Sequence, residues 1–182
     1  MAHLSAPALD YRQRKQALLN GWRHTALSTR GVHGALRQLA ELTDDTLRAL
    51  WRQAGLGAGC ALLAVGGYGR AELFPHSDVD VLLLLPPGAD PAADAPLRER
   101  IEAFIGHCWD TGLEIGASVR TVPECLRVAA GDITVQTALL EARRITGSAA
   151  LFGEFERCFA QHLDPLAFFT AKRLELRKRH LK

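Results

Sequence analysis

The chain has 182 residues, of which 48% are hydrophobic and 23% are charged, and its formal net charge is +2. These values describe an ordinary globular protein that is long enough for one domain with a substantial core. A charge so close to neutral neither requires nor excludes nucleic acid, but proteins that bind phosphate backbones extensively usually carry a stronger basic bias. We therefore expect no nucleic-acid partner.

The four cysteines, Cys60, Cys108, Cys125 and Cys158, lie far apart and form no Cys-x-x-Cys pair. Neither a zinc ribbon nor a redox pair is indicated, so we expect reduced and mostly buried thiols in a cytosolic protein. The first residues lack the charged-then-apolar plan of a secretory signal, and no apolar run approaches the ~20 residues of a membrane span. The expected location is therefore the cytoplasm, with no membrane partner.

Two helices are predicted before the first strand. Residues 8–30 are rich in Arg, Gln, Ala and Leu and predict one helix that Gly31 ends. Thr43 or Asp44 is a candidate cap for a second helix, which stops near Gly55. The glycine-rich residues that follow form a joint before a short buried strand at residues 61–65.

A second strand, strongly apolar, leads to an Ala-, Pro- and Asp-rich loop at residues 86–96. The next helix is predicted over residues 96–110, with an apolar stripe that packs on the sheet. Gly112 ends that helix and leads into a third strand, which carries Glu114 and closes near Arg120.

Beyond Pro123 the chain is predicted to be helical to its end. Breaks are expected near Gly131, Gly147 and Asp164-Pro165. Asp132 is a candidate cap for a helix that runs through residue 145. On that helix Thr137 or Glu141 either faces a bound nucleotide or only packs and faces water. The basic tail that starts at Lys172 indicates either a solvated helix face or a triphosphate-binding lysine.

The most informative stretch joins a glycine-rich turn to a pair of acids at the start of a strand. Successive strand residues point to opposite faces, so Asp78 and Asp80 project to the same side and can share a metal ion. Mg²⁺ prefers oxygen ligands and is usually held by one or two carboxylates together with substrate phosphates. Gly66 and Gly67 carry no Cβ, so the backbone can turn sharply there and bring its amides close to phosphate oxygens. Ser77 can donate a hydrogen bond to phosphate or orient the neighbouring carboxylate.

Each half of this pattern also has an ordinary explanation. Gly-Gly turns between strands are common, and a Ser-Asp-x-Asp sequence also suits a helix cap or a solvated turn. The two halves together are harder to explain that way, because 10 residues separate Gly67 from Asp78 and the acids stand where a polar loop gives way to an apolar strand. Unpaired acids at the start of a buried strand are costly without a cation, so the combination favours a metal and triphosphate site.

A Gly-Gly pair followed by Asp-x-Asp at a strand start resembles the nucleotidyltransferase superfamily that includes DNA polymerase beta. The longer string GGYGRAELFPHSDVD, at residues 66–80, resembles the amino-terminal domain of the bacterial PII uridylyltransferase family much more specifically. The segments at residues 112–116, 118–121, 132–135 and 138–143 are also similar to that family. The family usually has His where this chain has Ala117, a change that touches none of the expected acids.

The resemblance implies an α+β, polymerase-beta-like nucleotidyltransferase fold with a small mixed sheet and with N-terminal and C-terminal helices. It implies an enzyme that transfers UMP from UTP to a tyrosine of the nitrogen-regulatory signalling protein PII and releases pyrophosphate. Two Mg²⁺ ions are expected, held by Asp78, Asp80 and a third acid on a neighbouring strand. The implied partners are UTP and PII, although no residue in the sequence can be shown to select uracil over another base.

Two residues compete for the place of the third acid. Leu113-Glu114-Ile115 has the required apolar flanks, so Glu114 is the favoured metal ligand and the group that helps to deprotonate the attacking hydroxyl. Asp110 stands at the end of a helical pattern, where a capping or solvated role fits better.

The resemblance and the residue types together define the expected site. The catalytic and metal-binding residues are Asp78, Asp80 and Glu114, and the nucleotide-binding residues are Gly66, Gly67, Arg70 and Ser77. Two interpretations of Arg70 stay open, because a guanidinium after the glycine turn can pair with a triphosphate or remain a surface charge.

Three segments are expected: an N-terminal helical segment at residues 1–57, a nucleotidyltransferase core at 58–128 and a C-terminal helical segment at 129–182, together a fragment of a longer enzyme. No His is directly followed by Asp, so the His-Asp metal motif of phosphohydrolases is absent. Uridylyl removal and glutamine sensing, which the resemblance implies for the full-length enzyme, are therefore not expected here. The alternatives are a nucleotide-binding fragment without activity and a nucleotidyltransferase that acts on another acceptor.

Overall fold

The computed structural model describes residues 6–23, 28–57 and 59–180. Its elements in chain order are α1 (Ala6–Arg23), α2 (Thr29–Gln53), β1 (Ala61–Ala64), α3 (Gly66–Gly69), β2 (Val79–Leu85), α4 (Ala95–Thr111), β3 (Ile115–Thr121), α5 (Val122–Gly131), α6 (Ile133–Leu140), β4 (Arg143–Gly147), α7 (Ala149–His162) and α8 (Pro165–His180).

The strands form one 4-stranded mixed sheet in the order β3-β2-β1-β4. Strand β1 pairs antiparallel with both β2 and β4, whereas β2 and β3 run parallel and are connected through helix α4. A parallel pair needs such a crossover connection. Its register places Asp80 opposite Gly116. The expected α+β class, with a small mixed sheet and helices toward both ends of the chain, is confirmed.

Helices cover both faces of the sheet, which explains the nearly unbroken apolar sequence of β2. On one face Val81 and Leu83 pack in a core with residues of α1, α2 and α4. On the other face Leu82 and Leu84 pack with residues of α5, α6 and α7. Because side chains alternate along a strand, Asp80 belongs to the second face. The candidate site therefore opens on the side of the sheet that α5, α6 and α7 cover.

Several predicted features are confirmed. Strand β1 is fully buried over residues 61–64. The apolar stripe of α4 is buried at Ile101, Phe104 and Cys108, and Gly112 ends this helix with a φ of 86°. Asp132 caps α6, because its carboxylate accepts hydrogen bonds from the backbone of Thr134 and Val135.

The prediction for the second helix was wrong. Helix α2 begins at Thr29, where the Ser28 side chain accepts the Gly31 amide, and it continues without interruption to Gln53. Gly31 therefore lies inside this helix and does not end the one before it. Thr43 and Asp44 are buried in its middle and start no helix. The amphipathic pattern of a long helix, packed on the sheet, outweighs the cost of roughly 1 kcal/mol for a glycine in a helix.

The prediction that the chain is wholly helical beyond Pro123 was also wrong. Helix α6 ends at Leu140, and residues 143–147 form strand β4 at the edge of the sheet. Two of its five residues are arginines, and its pairing with β1 contains an irregularity between Leu62 and Leu63. A short polar strand of this kind has no alternating apolar pattern, so its formation depends on the partner strand and not on local sequence.

The remaining expectations concern the chain ends, the thiols and membranes. Some predictions fall on residues that the structure does not describe. They concern the secretory signal at residues 1–5, part of the first predicted helix at 24–27, residue 58 of the joint and the end of the basic tail. All four cysteines are free, and Cys60, Cys108 and Cys125 are buried. Within the described ranges no helix is long and apolar enough to cross a bilayer. The cytoplasmic location stays a prediction.

Candidate active site

The glycine stretch forms a single helical turn, α3, directly after strand β1. Gly66 has a φ of 58°, in the region that favours glycine. A Cβ at Gly66 would lie 3.8 Å from Oδ2 of Asp80 and 3.9 Å from Cβ of Ala138. The first amides of a helix have no partner within it, and Val65 supplies no side-chain cap here. The first amides of this turn therefore lie beside the Asp80 carboxylate.

Asp78 and Asp80 are placed together as the alternation along the strand predicts. Asp78 directly precedes β2, Asp80 is the second residue of that strand, and both residues are exposed. The pKa of Asp80 is raised, mainly because its carboxylate is partly buried and secondly because Asp78 carries a like charge. A carboxylate whose ionised form is disfavoured by burial and by a neighbouring carboxylate is a favourable place for a cation.

Glu114 directly precedes β3, and its backbone carbonyl accepts a 2.9 Å hydrogen bond from the amide of Val79. Its side chain is exposed. Within the part of the chain that the structure describes, no three His, Cys, Asp or Glu side chains are grouped closely enough to hold a metal ion. The carboxylate pair Asp78 and Asp80 has the hard oxygen donors that Mg²⁺ prefers. The role of Glu114 as a third ligand stays a prediction.

Two of the expected nucleotide-binding residues make contacts within the chain. Arg70 pairs with Oε1 of Glu141 at 2.6 Å and with Oε2 of Glu72 at 3.4 Å, and its side chain is 49% exposed. Exposed ion pairs of this kind typically contribute only about 0–1 kcal/mol each, so an anionic ligand can compete for the guanidinium. The hydroxyl of Ser77 donates to the carbonyl of Phe74 at 3.1 Å, which ties the loop before Asp78 to itself.

Other residues that the sequence left open have local partners. The hydroxyl of Thr137 donates to the carbonyl of Ile133 at 2.7 Å. Lys172 pairs with Glu175 at 2.6 Å on α8. Glu141 lies at the end of α6 and contacts Arg70, so it joins α6 to the glycine turn.

A buried polar cluster that sequence reasoning missed holds α3 in place. The carboxylate of Asp44, in the middle of α2, accepts a 2.6 Å hydrogen bond from the Tyr68 hydroxyl. The same carboxylate receives two hydrogen bonds from Arg143 of β4, at 2.6 and 3.1 Å. The Arg143 guanidinium also donates to the carbonyl of Gly69 at 3.3 Å. Removing one partner of a buried ion pair typically costs about 3–5 kcal/mol, so this cluster fixes α3 against α2 and β4.

A second contact holds α3 from the side of α6. A Cβ at Gly69 would overlap the backbone carbonyl of Glu141 and come within 3.2 Å of the carbonyl of Ala64. Glycine is therefore required for the close approach of the two backbones. The glycine turn is thus positioned by three separate elements, α2, β4 and the end of α6.

A cleft of about 310 Å³ lies between β3 and α6 and has Asp80 on its wall. A larger hollow of about 700 Å³ lies between α1 and α2, around Leu18 and Leu42, and includes none of the expected site residues. Of the expected site residues, Asp80 lines the cleft of about 310 Å³, whereas Ser77 and Glu114 line a separate cleft of about 140 Å³. The candidate site is placed at the cleft with Asp80, because the turn at Gly66 also lies against that carboxylate.

Comparisons with known proteins agree with the resemblance in the sequence. The chain is 53% identical over 173 residues to the bifunctional uridylyltransferase/uridylyl-removing enzyme of Burkholderia orbicola, a match that covers 95% of this chain and 19% of that protein. It is 57% identical over 151 residues to the enzyme of the same name from Ralstonia nicotianae, covering 83% of this chain and 17% of that protein. The chain thus spans about a fifth of the length of these relatives. No family model matches the chain.

Among solved structures, the chain is similar to one described as a toxin-antitoxin with AMP-PNP. The TM-score is 0.42 at 12% sequence identity, over 76% of this chain and 98% of that chain. A likeness this distant supports no functional inference.

Proposed function

We propose that this chain, a homologue of part of the bifunctional uridylyltransferase/uridylyl-removing enzymes, transfers UMP from UTP to a tyrosine of the signalling protein PII and releases pyrophosphate. The observation that supports the proposal is the position of Gly66, which lies against the Asp80 carboxylate while Asp78 stands beside it. This proximity supports a site in which the amides of α3 bind phosphate and the two acids bind metal.

The residues have separate roles in this proposal. The open amides of α3 receive the triphosphate oxygens, and Arg70 leaves Glu141 and Glu72 to pair with them. Asp78 and Asp80 hold Mg²⁺, with Glu114 as the third acid of a site for two ions. When bound, Mg²⁺ supplies positive charge beside the phosphates.

The transfer needs a deprotonated acceptor. The tyrosine oxygen forms a bond to the α-phosphorus, the bond from that phosphorus to the bridging oxygen breaks, and pyrophosphate leaves with the electron pair. A tyrosine hydroxyl has an ordinary pKa of about 10 and is mostly protonated at neutral pH. We assign acceptance of its proton to Glu114, which is exposed at the start of β3 and accessible to a protein acceptor.

Two other functions follow from the same site. Because the chain spans 19% of its Burkholderia relative, it is alternatively a nucleotide-binding fragment that needs the rest of that protein for catalysis. A nucleotidyltransferase that acts on a different acceptor is the other alternative.

The direct test combines the chain with PII, Mg²⁺ and UTP labelled at the α-phosphate. Transfer predicts labelled PII and one pyrophosphate for each UMP transferred. The Asp80→Asn variant should lose at least about 100-fold in rate, equivalent to roughly 2.7 kcal/mol of transition-state stabilisation, while its circular dichroism is unchanged.

The outcomes separate the three functions. Binding of UTP without transfer to PII, in a folded chain, would favour the fragment without activity. Pyrophosphate release with a different acceptor, or with ATP or CTP in preference to UTP, would favour another nucleotidyltransferase. Retained transfer by Asp80→Asn would contradict the assignment of the metal-binding acids.

A further inference from the structure

The cleft beside Asp80 extends along one face of the edge strand β3. Gly116 stands opposite Asp80 in the parallel ladder, and Ser118 and Arg120 follow it on the same face at every second position. All of these residues line the cleft, with helix α6 on the other side. Arg120 lies four residues beyond Gly116, roughly 13 Å along a strand, so the acid and the guanidinium mark two ends of one elongated space.

Besides Asp80, the cleft carries the polar side chains of Ser118, Arg120 and Thr134. Within the described residues no hydrogen bond is found for the hydroxyls of Ser118 and Thr134 or for the guanidinium of Arg120. The nearby carboxylate of Glu124 accepts hydrogen bonds from the amide and the hydroxyl of Thr121 at 2.7 and 2.9 Å, which lower its pKa, and the charge of Arg120 adds a smaller lowering. Unpaired donors that converge on a cleft are typical of a binding site and not of a packed interface.

The rest of the wall suits a flat ring. Val135 and Ala138 of α6 line the cleft on the side opposite β3. The volume of about 310 Å³ is at the lower end of the range for small-molecule pockets. An apolar wall on α6, with polar groups along β3 and at both ends of the cleft, can hold a nucleobase and hydrogen-bond to its edge.

We propose that this cleft is the nucleobase subsite of the UTP site and that Arg120 selects uracil by donating to a ring carbonyl. The inference rests on the proposed function, since it places the triphosphate at Asp80 and the base further along β3. It adds a selecting residue for the base, which the sequence alone does not identify.

The selectivity follows from donor and acceptor chemistry. A guanidinium has five N–H donors and no acceptor. Uracil presents a carbonyl acceptor at ring position 4, where cytosine presents an amino donor. Arg120 therefore forms a hydrogen bond with uracil, whereas two donors would face each other with cytosine. The hydroxyls of Ser118 and Thr134 act as donor or acceptor and cannot make this distinction.

The test measures binding of UTP and of CTP by calorimetry, in Mg²⁺ and without acceptor, for the wild-type chain, Arg120→Gln and a control. The control is Arg127→Gln on α5, whose side chain is 76% exposed and lies outside the cleft. The wild type and the control should prefer UTP by at least about tenfold, the effect expected of one hydrogen bond to a charged group. Arg120→Gln should bind UTP about tenfold more weakly and lose most of the preference over CTP.

The ratio of the two affinities separates base reading from other roles. If Arg120 contacts the triphosphate instead, Arg120→Gln should lower the affinities for UTP and CTP equally, and their ratio should be unchanged. That result would overturn the proposed subsite but leave the transferase function standing. A wild-type chain that binds neither nucleotide overturns both proposals. Thr134→Val provides a second variant of the same cleft. It should weaken UTP and CTP binding equally, and an unchanged affinity for both would also place the base elsewhere.

Discussion

Asp80 and Gly116 face each other across neighbouring parallel strands, and the Asp80 carboxylate occupies the space that a side chain at position 116 would need. A Cβ at Gly116 would lie 2.5 Å from Oδ1 of Asp80, closer than real Cβ contacts allow. The absence of a side chain at Gly116 therefore sets the direction of the carboxylate that we assign to the metal.

Gly116→Ala should reduce transfer much more than it reduces stability. The added methyl group forces the Asp80 carboxylate to rotate, which misplaces a metal ligand. Stability should change little, because position 116 is exposed and a single methyl group can be accommodated there. We expect kcat/KM to fall at least tenfold, about 1.4 kcal/mol, with a change in Tm of only a few degrees. Steady-state kinetics with UTP and PII and a thermal melt provide the measurements.

The matched control for that variant is Gly106→Ala. Gly106 lies in helix α4, and nothing is within 4 Å of a Cβ placed there. Alanine should stabilise the helix by roughly 0.5–1 kcal/mol and leave transfer unchanged. Equal activity of Gly116→Ala and wild type would show that the Asp80 carboxylate does not need its present orientation.

Glu114→Gln and Asp110→Asn should differ sharply in activity. Asp110 is exposed in the last turn of α4, and its backbone carbonyl accepts a hydrogen bond from Arg12. Its carboxylate can be neutralised without loss of that contact, so we expect kcat within about twofold of wild type. Glu114→Gln should lower kcat by roughly 100-fold if this acid binds metal or accepts the proton of the acceptor. The reverse order of effects would make Asp110 the third acid.

Local sequence was sufficient for the parts of the site that depend on chain geometry. The same-side projection of Asp78 and Asp80 follows from the period of a strand. The ending of α4 at Gly112 and the cap of α6 at Asp132 follow from residues with strong local preferences. These features need no distant partner, so the pattern alone predicts them.

The framework that holds the site depends on distant contacts and was not predictable in the same way. Asp44 and Arg143 are 99 positions apart and meet only because α2 packs beside β4. One signal was available: Asp44 falls among Ala40, Leu47 and Trp51 on the apolar face of α2, and a buried acid there requires a partner. The hypothesis that Thr43 or Asp44 starts a helix concealed this signal. Strand β4 carried no signal of its own, because its polar residues are stabilised by pairing with β1.

The hydrogen bond from Tyr68 to Asp44 should make stability depend on pH in the alkaline range. Burial, followed by the charge of Asp44, raises the pKa of Tyr68 well above its ordinary value. A group whose pKa is raised by folding contributes its stability below the pKa of the unfolded chain, about 10, and loses it as the pH rises further. The free energy of unfolding of the wild type should therefore exceed that of Tyr68→Phe by about 1–3 kcal/mol at pH 8.

The difference in unfolding free energy between the wild type and Tyr68→Phe should decrease steadily above pH 10. Urea unfolding at pH 8, 10 and 11 measures it, and the comparison cancels the titration of Tyr11, which both proteins retain. A difference that stays constant up to pH 11 would mean that Tyr68 does not titrate on unfolding in this range, contrary to its contact with Asp44.

The four thiols should react with a labelling reagent in an order set by burial. Burial raises the pKa of Cys108 to about 12 and that of Cys125 to about 11. Because the thiolate is the reactive form, both residues are almost entirely unreactive at pH 8 while the protein is folded. Cys158 on α7 is the only one of the four that is not buried, so it should be labelled first. Mass spectrometry after brief iodoacetamide treatment should find a single modified peptide containing Cys158, and all four thiols should react in urea. Rapid labelling of Cys108 in the folded chain would contradict the packing of α4 against the sheet.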